Sequence, residues 1–330
     1  MKAIVIKGVN KIEVENITTP NACAPEHLLI KMQACAINSG DKLFISGAFP
    51  RGIPLSQYNI AGVSGVGKVI DAGKDVPAYY KDKNVAIYRS LKPSAETIGT
   101  WSEYAHLHYL NCAVIPQPAN PEQYTGSLVN IITAYSFLQQ AQQEGHKAII
   151  CTAGNSATGK AMLGLCLVNH VPVISIVRSE EGKQALEQMG AKNILVQNDS
   201  RYKQQLQQTA EQLGATVVFD GVGGETLSNI IDILPFNSSI YSYGFLDKET
   251  PFSFHTTTLM RGITIKGFSN YRTATVQDPI MLERALQYIS SQIANPLFQT
   301  AVGKQFKPDA AQDALAYTKK NGKAILMFNT

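Results

Sequence analysis

The chain has 330 residues, enough for about two domains with sizeable hydrophobic cores. Hydrophobic residues make up 45% of it and charged residues 16%, and the net charge is only +4, with Lys and Arg scattered along the sequence. This balance excludes a nucleic-acid-binding stripe, and the lack of an apolar run of about 18 residues excludes a membrane span. Five widely spaced cysteines and a first segment without a signal-peptide pattern indicate a reducing, cytoplasmic compartment.

The first 115 residues are rich in short segments that alternate apolar and polar residues. Pro, Gly and Asn separate these segments, as is typical of half-exposed antiparallel strands. The pattern predicts a small, partly open β-barrel. Candidate strands cover residues 3–6, 11–14, 28–34, 67–71, 84–88 and 101–107.

A proline-rich junction at residues 116–121 separates this region from one in which strands and helices alternate. Short continuous apolar runs here are typical of parallel strands that are covered on both faces. The alternation predicts a doubly wound parallel sheet. Strand candidates are residues 148–151, 173–177, 193–197, 215–220, 239–243 and 263–268, and helix candidates are 126–143, 160–169, 200–213, 225–234 and 278–293, before a last strand at 324–328.

Small residues fill the turn between the first two strands of that sheet. The turn reads Gly154-x-Ser156-x-x-Gly159, a dinucleotide-binding fingerprint with serine in place of the middle glycine. A pyrophosphate needs small residues here because it approaches the backbone closely and lies on a helix N-terminus. A tight strand-to-helix turn without a ligand would have the same appearance.

The residues after the second strand bear on the choice between NAD and NADP. An NAD site usually carries Asp or Glu at this point, to bind the ribose hydroxyls. Here the strand is followed by Arg178 and Ser179, with Lys183 on the next helix. Because a guanidinium suits a 2′-phosphate, the pattern favours NADP(H). The neighbouring Glu180 and Glu181 leave a ribose-binding carboxylate as an alternative.

Three further groups of residues have open interpretations. Gly221 and Val222 follow a predicted strand and would face a ligand crevice or form a simple turn. The late aromatic residues, among them Tyr243 and Phe268, would wall a nicotinamide pocket or pack in the core. His106-x-His108 has the spacing of a metal pair, yet no further ligand accompanies it, so we expect no metal site.

Taken in order, the motifs resemble a known family. After the β-rich region come Asn130-x-x-Thr133-Ala134-Tyr135, AGNSATG at 153–159, VRS at 177–179, FDGVGGE at 219–225, YSYGF at 241–245, KGFSN at 266–270 and NGK at 321–323. This order is similar to that of the zinc-independent medium-chain dehydrogenase/reductase superfamily, in its quinone oxidoreductase and 2-enoyl thioester reductase branches. The resemblance extends over essentially the whole chain.

The resemblance implies an α/β fold of two domains, a GroES-like β-barrel catalytic domain (residues 1–118 and 276–330) and a Rossmann domain (119–275). It also implies NADP(H) as cofactor. With the residues discussed above, it gives a cofactor-binding set of Asn130, Thr133, Asn155, Ser156, Ala157, Thr158, Arg178, Ser179, Lys183, Gly221, Val222, Tyr243, Gly244, Phe245, Leu246, Phe268, Ser269, Asn270 and Lys323.

Two departures from the relatives shape the functional expectation. Zinc-dependent relatives carry Cys at the position of Asn38 and His-Glu at Val63-Ser64, so the resemblance implies that both zinc sites are missing. The thioester reductases carry a proton-donating tyrosine where this chain has Phe49, which has no hydroxyl. Asn38 and Phe49 are assigned to the substrate pocket, with Tyr58 and Tyr88 as possible substitute donors.

The sequence therefore predicts a zinc-free, NADPH-dependent oxidoreductase that reduces a small-molecule quinone or an activated α,β-unsaturated carbonyl. Two alternatives remain: a 2-enoyl thioester reductase with another proton donor, and a non-catalytic NADPH-binding redox sensor with the same fold. No catalytic residue is assigned at this point. By analogy with the family we expect a homodimer, without nucleic acid or membrane partners.

Overall fold

The computed structural model describes residues 1–47, 56–318 and 322–328. The chain divides into two compact units: Met1–Asn130 with Pro279–Thr330, and Ile131–Asp278. The first unit extends past the proline-rich junction as far as Asn130. In the part of the chain that the structure describes, no helix combines the length and the apolar character needed to cross a bilayer.

The first unit is built on antiparallel strands. They are β1 (Lys2–Gly8), β2 (Lys11–Asn16), β3 (His27–Ala36), β4 (Ser64–Ala72), β5 (Asn84–Tyr88), β6 (Tyr104–His108) and β7 (Cys112–Ile115), joined by β14 (Val302–Phe306) and β15 (Lys323–Met327) from the end of the chain. The strand order in the main sheet is β14-β15-β3-β4-β5-β7, and β6 pairs with β3. The C-terminal strand β15 is therefore an integral part of the barrel.

Fully buried apolar side chains fill this barrel, among them Leu28, Ile30, Tyr80, Trp101 and Leu107. Among the described residues of this unit, the α-helices are α1 (Ser39–Ile45), the start of α2 (Ser127–Gln143), α8 (Pro279–Gln292) and α9 (Ala311–Ala316). The sequence analysis did not predict α1, α9, β7 or β14, because each is short. Helix α1 directly follows β3, and this places its first residues beside β4 and β15.

The second unit is a six-stranded parallel sheet. Its strands are β8 (Ala148–Cys151), β9 (Val173–Val177), β10 (Asn193–Val196), β11 (Ala215–Asp220), β12 (Ser239–Ser242) and β13 (Thr264–Gly267), in the order β10-β9-β8-β11-β12-β13. Its helices are the rest of α2, α3 (Ala157–Val168), α4 (Glu180–Gln188), α5 (Tyr202–Leu213), α6 (Gly224–Ile231) and α7 (Ala274–Gln277). The predicted fold class, a GroES-like barrel with a doubly wound parallel sheet, is confirmed.

The central strands of this sheet are buried along their whole length. Every residue of β8 and β9 is buried, which is why their sequences, AIIC and VISIV, are continuously apolar apart from one serine. The strand order reverses at β8, from which the chain continues to β9 on one side and lies next to β11 on the other. In open α/β sheets a ligand crevice forms at this point, outside the carboxyl ends of the strands.

Candidate active site

Five segments that the sequence analysis selected lie at the carboxyl ends of parallel strands, and so at one edge of the sheet. We call them the strand-end crevice; they are residues 152–158 after β8, 178–179 after β9, 221–223 after β11, 243–246 after β12 and 268–270 after β13. Parallel strands place their carboxyl ends together. The structure therefore brings together most of the predicted cofactor-binding residues.

The loop between β8 and α3 is held tightly against its neighbours. The Gly154 N–H donates to the Ile176 carbonyl at 2.8 Å, and a Cβ atom on Gly154 would lie 2.9 Å from that of Ser175. A Cβ on Gly159 would come within 2.5 Å of the carbonyl oxygens of Ala153 and Gly154. Both glycines of the fingerprint are thus required by close packing between loop, strand and helix.

Ser156, the residue that replaces the middle glycine, is the N-cap of α3. Its hydroxyl accepts a hydrogen bond from the Gly159 N–H at 3.1 Å. Asn155 and Ala157 on either side are exposed, and Thr158 is half-buried. The helix N-terminus, with its partial positive charge, is available to an anion such as a pyrophosphate.

The two cations predicted near the end of β9 have different surroundings. Arg178 is exposed and directly follows the strand, and among the described residues no carboxylate forms an ion pair with it. The Lys183 Nζ lies 3.3 Å from a carboxylate oxygen of Glu180, so its charge is already partnered. Ser179 caps α4 and accepts from the Gly182 N–H at 3.3 Å. Arg178 is therefore a better candidate than Lys183 for binding the 2′-phosphate of NADP(H).

A buried carboxylate that the sequence analysis did not single out holds the centre of the crevice. Asp220, at the end of β11, accepts from the Thr152 hydroxyl at 2.7 Å and from the Ser242 hydroxyl at 3.0 Å. It also accepts from the N–H groups of Val222 and Gly223, at 3.1 Å each. One side chain thus joins the ends of β8, β11 and β12 and fixes the turn that follows β11.

Most of the late aromatic residues pack against one another. Tyr243 stacks on Phe219 with ring centroids 4.0 Å apart, and Phe268 packs edge-on against Phe219 at 5.6 Å. The Tyr241 hydroxyl donates to the Glu144 carboxylate at 2.6 Å. Phe245 and Leu246, by contrast, are 57% and 67% exposed, so two apolar side chains are presented to a ligand or to solvent.

Asn270 offers a donor for a ligand at the end of β13. It is 6% exposed, and its side-chain Nδ2 has no hydrogen-bond partner among the described residues. A buried donor without a partner costs about 1–3 kcal/mol. A carboxamide or ribose group bound here would satisfy it, so the site fits a nicotinamide nucleotide. Gly221 and Gly244 approach each other closely, since a Cβ on Gly244 would lie 2.8 Å from the Gly221 carbonyl oxygen.

The first unit contains a second group of polar side chains, which we call the lysine cluster: Asn38, Asp41, Ser64 and Lys323. The Lys323 ammonium donates to the Asn38 side-chain oxygen. The Asn38 Nδ2 donates to the Ser64 hydroxyl at 2.8 Å and to an Asp41 carboxylate oxygen at 3.0 Å. The Asn38 N–H donates to the same Asp41 oxygen at 2.8 Å, which caps α1.

Burial shifts both ionisable groups of the cluster toward their neutral forms. It raises the pKa of Asp41, although hydrogen bonds from Asn38 and the charges of Arg89 and Lys323 oppose the rise. It lowers the pKa of Lys323 to about 8, against the opposing charge of Asp41. Asp41 and Arg89 are 3% and 4% exposed, so the charges act on each other in a poorly solvated setting.

Three residues that the family resemblance selected, Asn38, Asn130 and Lys323, are linked at the start of α2. The Asn130 Nδ2 donates to the Gly126 carbonyl at 2.7 Å. A Cβ atom on Gly126 would lie 3.1 Å from the Lys323 Nζ, so the amine rests against this glycine. Lys323 in turn holds Asn38. Thr133, also predicted to bind the cofactor, lies on α2 as well and is half-buried.

The structure separates the two tyrosines proposed as substitute proton donors. Tyr88 is 8% exposed and lies opposite Ser64 in the pairing of β4 with β5, next to the lysine cluster. Tyr58 is 52% exposed, in a short turn of 3-10 helix. Phe49 lies outside the described residues. Three residues of the candidate site were not predicted from the sequence: Asp41, Ser64 and Asp220. The spacing Asn38-x-x-Asp41 is a helix-capping signal that could have revealed Asp41.

The residues present do not fit a zinc ion. Asn38 and Ser64 offer an amide and a hydroxyl that bond to each other, whereas zinc takes thiolate, imidazole or carboxylate ligands. Within the described ranges no group of three or more His, Cys, Asp or Glu could hold a metal. His106 and His108 are buried, and both rings contact His27. Burial lowers the pKa of His108 to about 4.

Comparison with known proteins places the chain in a family. Residues 24–117 match the alcohol dehydrogenase GroES-like domain, and residues 157–287 match the zinc-binding dehydrogenase family. A mitochondrial enoyl-[acyl-carrier-protein] reductase from Dictyostelium discoideum is 27% identical over 78% of this chain and 73% of its own length.

Two solved mycobacterial structures share the fold over 99% of this chain. A quinone oxidoreductase has a TM-score of 0.75 at 21% identity, with 99% of its own chain covered. A structure complexed with NADPH has a TM-score of 0.73 at 21% identity, with 100% of its own chain covered. With the two domain matches and the ordered motifs, these similarities show that the chain belongs to the medium-chain dehydrogenase/reductase superfamily of oxidoreductases, in its zinc-independent branch.

Proposed function

We propose that the protein binds NADP(H) and transfers its hydride to a quinone or to an activated, α,β-unsaturated carbonyl compound. The observation that carries the proposal is the position of Arg178 and Ser179 at the end of β9. An NAD site usually has a carboxylate there, and here an exposed guanidinium without an ion-pair partner among the described residues follows the strand.

The strand-end crevice contains groups suited to each part of the dinucleotide. The N-terminus of α3, with Asn155, Ser156, Ala157 and Thr158, would bind the pyrophosphate. Arg178 and Ser179 would bind the 2′-phosphate. The segments 243–246 and 268–270 would surround the nicotinamide ribose and amide, and Gly221 and Val222 would line the floor between them. The mycobacterial structure complexed with NADPH supports a dinucleotide in this crevice, and the mycobacterial quinone oxidoreductase supports a quinone as the acceptor.

When bound, the cofactor supplies the hydride, and the protein supplies geometry and electrostatics. Asp220 keeps three strand ends in register, so the loops that hold the cofactor are rigid before it binds. Asn38, with its amide fixed by Ser64 and Asp41, would line the acceptor pocket beside Tyr88. No step of this scheme requires a metal ion.

Reduction of 2-enoyl thioesters is the competing enzymatic function. The similarity to an enoyl-[acyl-carrier-protein] reductase favours it. Phe49 weighs against it, because phenylalanine has no proton to donate to the enolate that hydride transfer leaves. A positioned acid at this step typically raises the rate about 10²–10⁴-fold. A quinone depends less on such an acid, since its reduced anion is stable enough to take a proton from water. A redox sensor that binds NADPH without turnover is the non-enzymatic alternative.

The test measures NADPH oxidation by the purified protein with a benzoquinone and with a crotonyl thioester. We expect a higher kcat/KM for the quinone, and we expect Phe49→Tyr to raise the thioester rate while leaving the quinone rate unchanged. A wild type that prefers the thioester would refute the quinone assignment. Tight NADPH binding without turnover of either acceptor would favour the sensor.

The proposed assembly is a homodimer formed through the parallel sheet. Strand β13 is the last strand on its side of that sheet and three of its four residues are exposed, so its edge is open to pairing. Light scattering at micromolar concentration should give twice the mass of the 35.9 kDa chain. A mass of one chain would rule the dimer out under those conditions.

A further inference from the structure

We propose that Lys323 is the proton donor of the reduction and that Asn38 and Asp41 are the positioning residues that hold it ready. This inference rests on the proposed function, because it names the acid that completes the reduction of an α,β-unsaturated carbonyl. Lys323 comes from the opposite end of the chain to Phe49, and the tyrosine in Phe49→Tyr would add a second donor for the thioester.

The Lys323 amine contacts or adjoins two residues that the proposed function assigns to the reaction. It rests against Gly126, and the Gly126 carbonyl accepts from the side chain of Asn130. It also donates to Asn38. The family resemblance implies that Asn130 lies beside the nicotinamide end of the cofactor, and Asn38 is assigned to the acceptor pocket. The amine thus contacts Asn38 directly, and only Gly126 lies between it and Asn130.

The hydrogen bonds around Asn38 fix the direction in which the amine points. Its Nδ2 faces the Asp41 carboxylate and the Ser64 hydroxyl, which leaves its oxygen for the Lys323 ammonium. A flipped amide would put its oxygen against the Asp41 carboxylate and an N–H against the ammonium, and both contacts would be repulsive. Lys323 is therefore oriented by a side chain that cannot turn.

Asp41 supplies the countercharge without neutralising the amine directly. Its carboxylate is separated from the Lys323 ammonium by the Asn38 amide, and Arg89 is the other charged group that acts on it. Burial lowers the pKa of Lys323 to about 8 while Asp41 opposes the fall. Because an acid works best with a pKa close to the operating pH, such an amine donates far better than an ordinary lysine near 10.4.

The proton transfer balances with the hydride. When bound, NADPH would supply a hydride to the β-carbon and become NADP⁺, and the electron pair of the C=C bond would move toward the carbonyl to give an enolate. One N–H bond of the Lys323 ammonium then breaks, and its proton joins the α-carbon. The neutral amine left behind takes a proton from solvent before the next turnover.

The first test compares acceptors that differ in their need for an acid. In Lys323→Met we expect kcat for a crotonyl thioester to fall about 10²–10⁴-fold, and that for a benzoquinone to fall much less. Small primary amines in the buffer should restore part of the thioester rate. Lys307→Met, which removes an exposed lysine near the same end of the chain, should match wild type. If kcat in Lys323→Met fell equally for both acceptors and NADPH bound more weakly, Lys323 would be a cofactor contact only. That result would overturn the proposal.

The pH profile gives a second kinetic readout. Because the donor must be protonated, kcat for the thioester should fall above about pH 8 in wild type, and this limb should vanish in Lys323→Met. Asp41→Asn should move the limb to lower pH, since the negative charge that raises the amine's pKa is gone. A wild-type limb that persists in Lys323→Met would belong to another group and would refute the assignment.

A third measurement needs neither cofactor nor acceptor. The rate at which an amine-specific reagent labels Lys323, followed by mass spectrometry in the free protein, should rise with a midpoint near pH 8. Lys307 is the internal standard and should follow an ordinary lysine. A Lys323 midpoint above 10 would overturn the proposal whatever the enzyme reduces. If wild type reduces neither acceptor, the proposed function fails; if it reduces both and Lys323→Met keeps their ratio, only the role of Lys323 fails.

Discussion

The strand-end crevice and the lysine cluster bury polar groups in opposite ways. In the crevice, a single carboxylate, Asp220, is satisfied by two hydroxyls and two backbone N–H groups. In the cluster, an ammonium and a carboxylate share one amide, with a buried guanidinium near the carboxylate. The first arrangement fixes backbone geometry, whereas the second sets the charge state of a side chain.

This difference suggests a division of labour within the proposed reaction. A cofactor needs preformed loops, which a buried hydrogen-bond network provides. An acceptor that changes charge during reduction needs a nearby group able to give up a proton, which a desolvated lysine provides. Substitutions in the crevice should therefore change stability and cofactor binding, and substitutions in the cluster should change pH dependence.

The largest effect is expected at Asp220. In Asp220→Ala the hydroxyls of Thr152 and Ser242 and two N–H groups lose their acceptor, at about 1–3 kcal/mol for each buried donor left unpaired. Because three of these four hydrogen bonds are only part-buried, we expect the free energy of unfolding to fall by about 3–5 kcal/mol, measured by denaturant titration. Asp220→Asn, which keeps the shape and one acceptor, should lose about half as much. The exposed Glu225→Ala is the control, and a loss as small as in that control would show that the crevice is not held by Asp220.

The next effect is expected on cofactor affinity. Arg178→Ala should weaken NADPH binding by about 1.5–3 kcal/mol, the value of a charged hydrogen bond, and leave NADH binding nearly unchanged. Fluorescence titration of both cofactors measures this, and the wild type should prefer NADPH at least tenfold. Arg201→Ala removes a guanidinium that is 73% exposed and serves as the matched control. Equal affinities for the two cofactors in wild type would contradict the assignment of Arg178.

The crevice could be predicted from the sequence because each of its parts is a short continuous segment that follows an apolar run. Gly154, Arg178 and Tyr243 are all found by locating a buried strand and reading the residues after it. Parallel topology then dictates that these segments share one edge. The inward turn of the Asp220 side chain could not be read in this way, because its partners Thr152 and Ser242 lie on other strands.

The lysine cluster was only half visible in the sequence. Asn38 and Lys323 came from family resemblance, and 285 positions separate them. Their contact depends on β15 pairing with β3, a long-range feature that no local pattern encodes. Asp41 lies on a helix of seven residues, too short to show an apolar period. Tertiary packing, rather than propensity, decides both features.

A smaller effect is expected on the pH dependence of stability. The folded pKa of Lys323, about 8, is below the ordinary value of about 10.4, so between these pH values the unfolded chain binds more protons. Stability from this group therefore rises with pH from about 8 to 10. Relative to Lys323→Met, wild type should gain about 1–2 kcal/mol over that range, less than the full shift because the side chain is partly exposed. Denaturant titrations at several pH values measure it, and parallel curves for the two proteins would mean that Lys323 is not perturbed.

Removing metal ions with a chelator is expected to have no effect on activity or stability. Zinc binds thiolate, imidazole or carboxylate, and the residues at the family's ligand positions, Asn38, Val63 and Ser64, offer none of these. Moreover, the Asn38 amide already spans Lys323, Asp41 and Ser64, so an ion placed there would have to displace an ammonium. Elemental analysis should find well below one zinc per chain, and a chelator should leave both turnover and the unfolding midpoint unchanged.

The variant that combines Asn38→Cys, Val63→His and Ser64→Glu restores the ligand types and tests the reverse. It should take up zinc, and it should also lose the fall in kcat above about pH 8 that is assigned to Lys323. One zinc per chain in the wild-type protein would contradict this prediction. It would mean that the lysine cluster binds a metal ion and does not hold Lys323 as a proton donor.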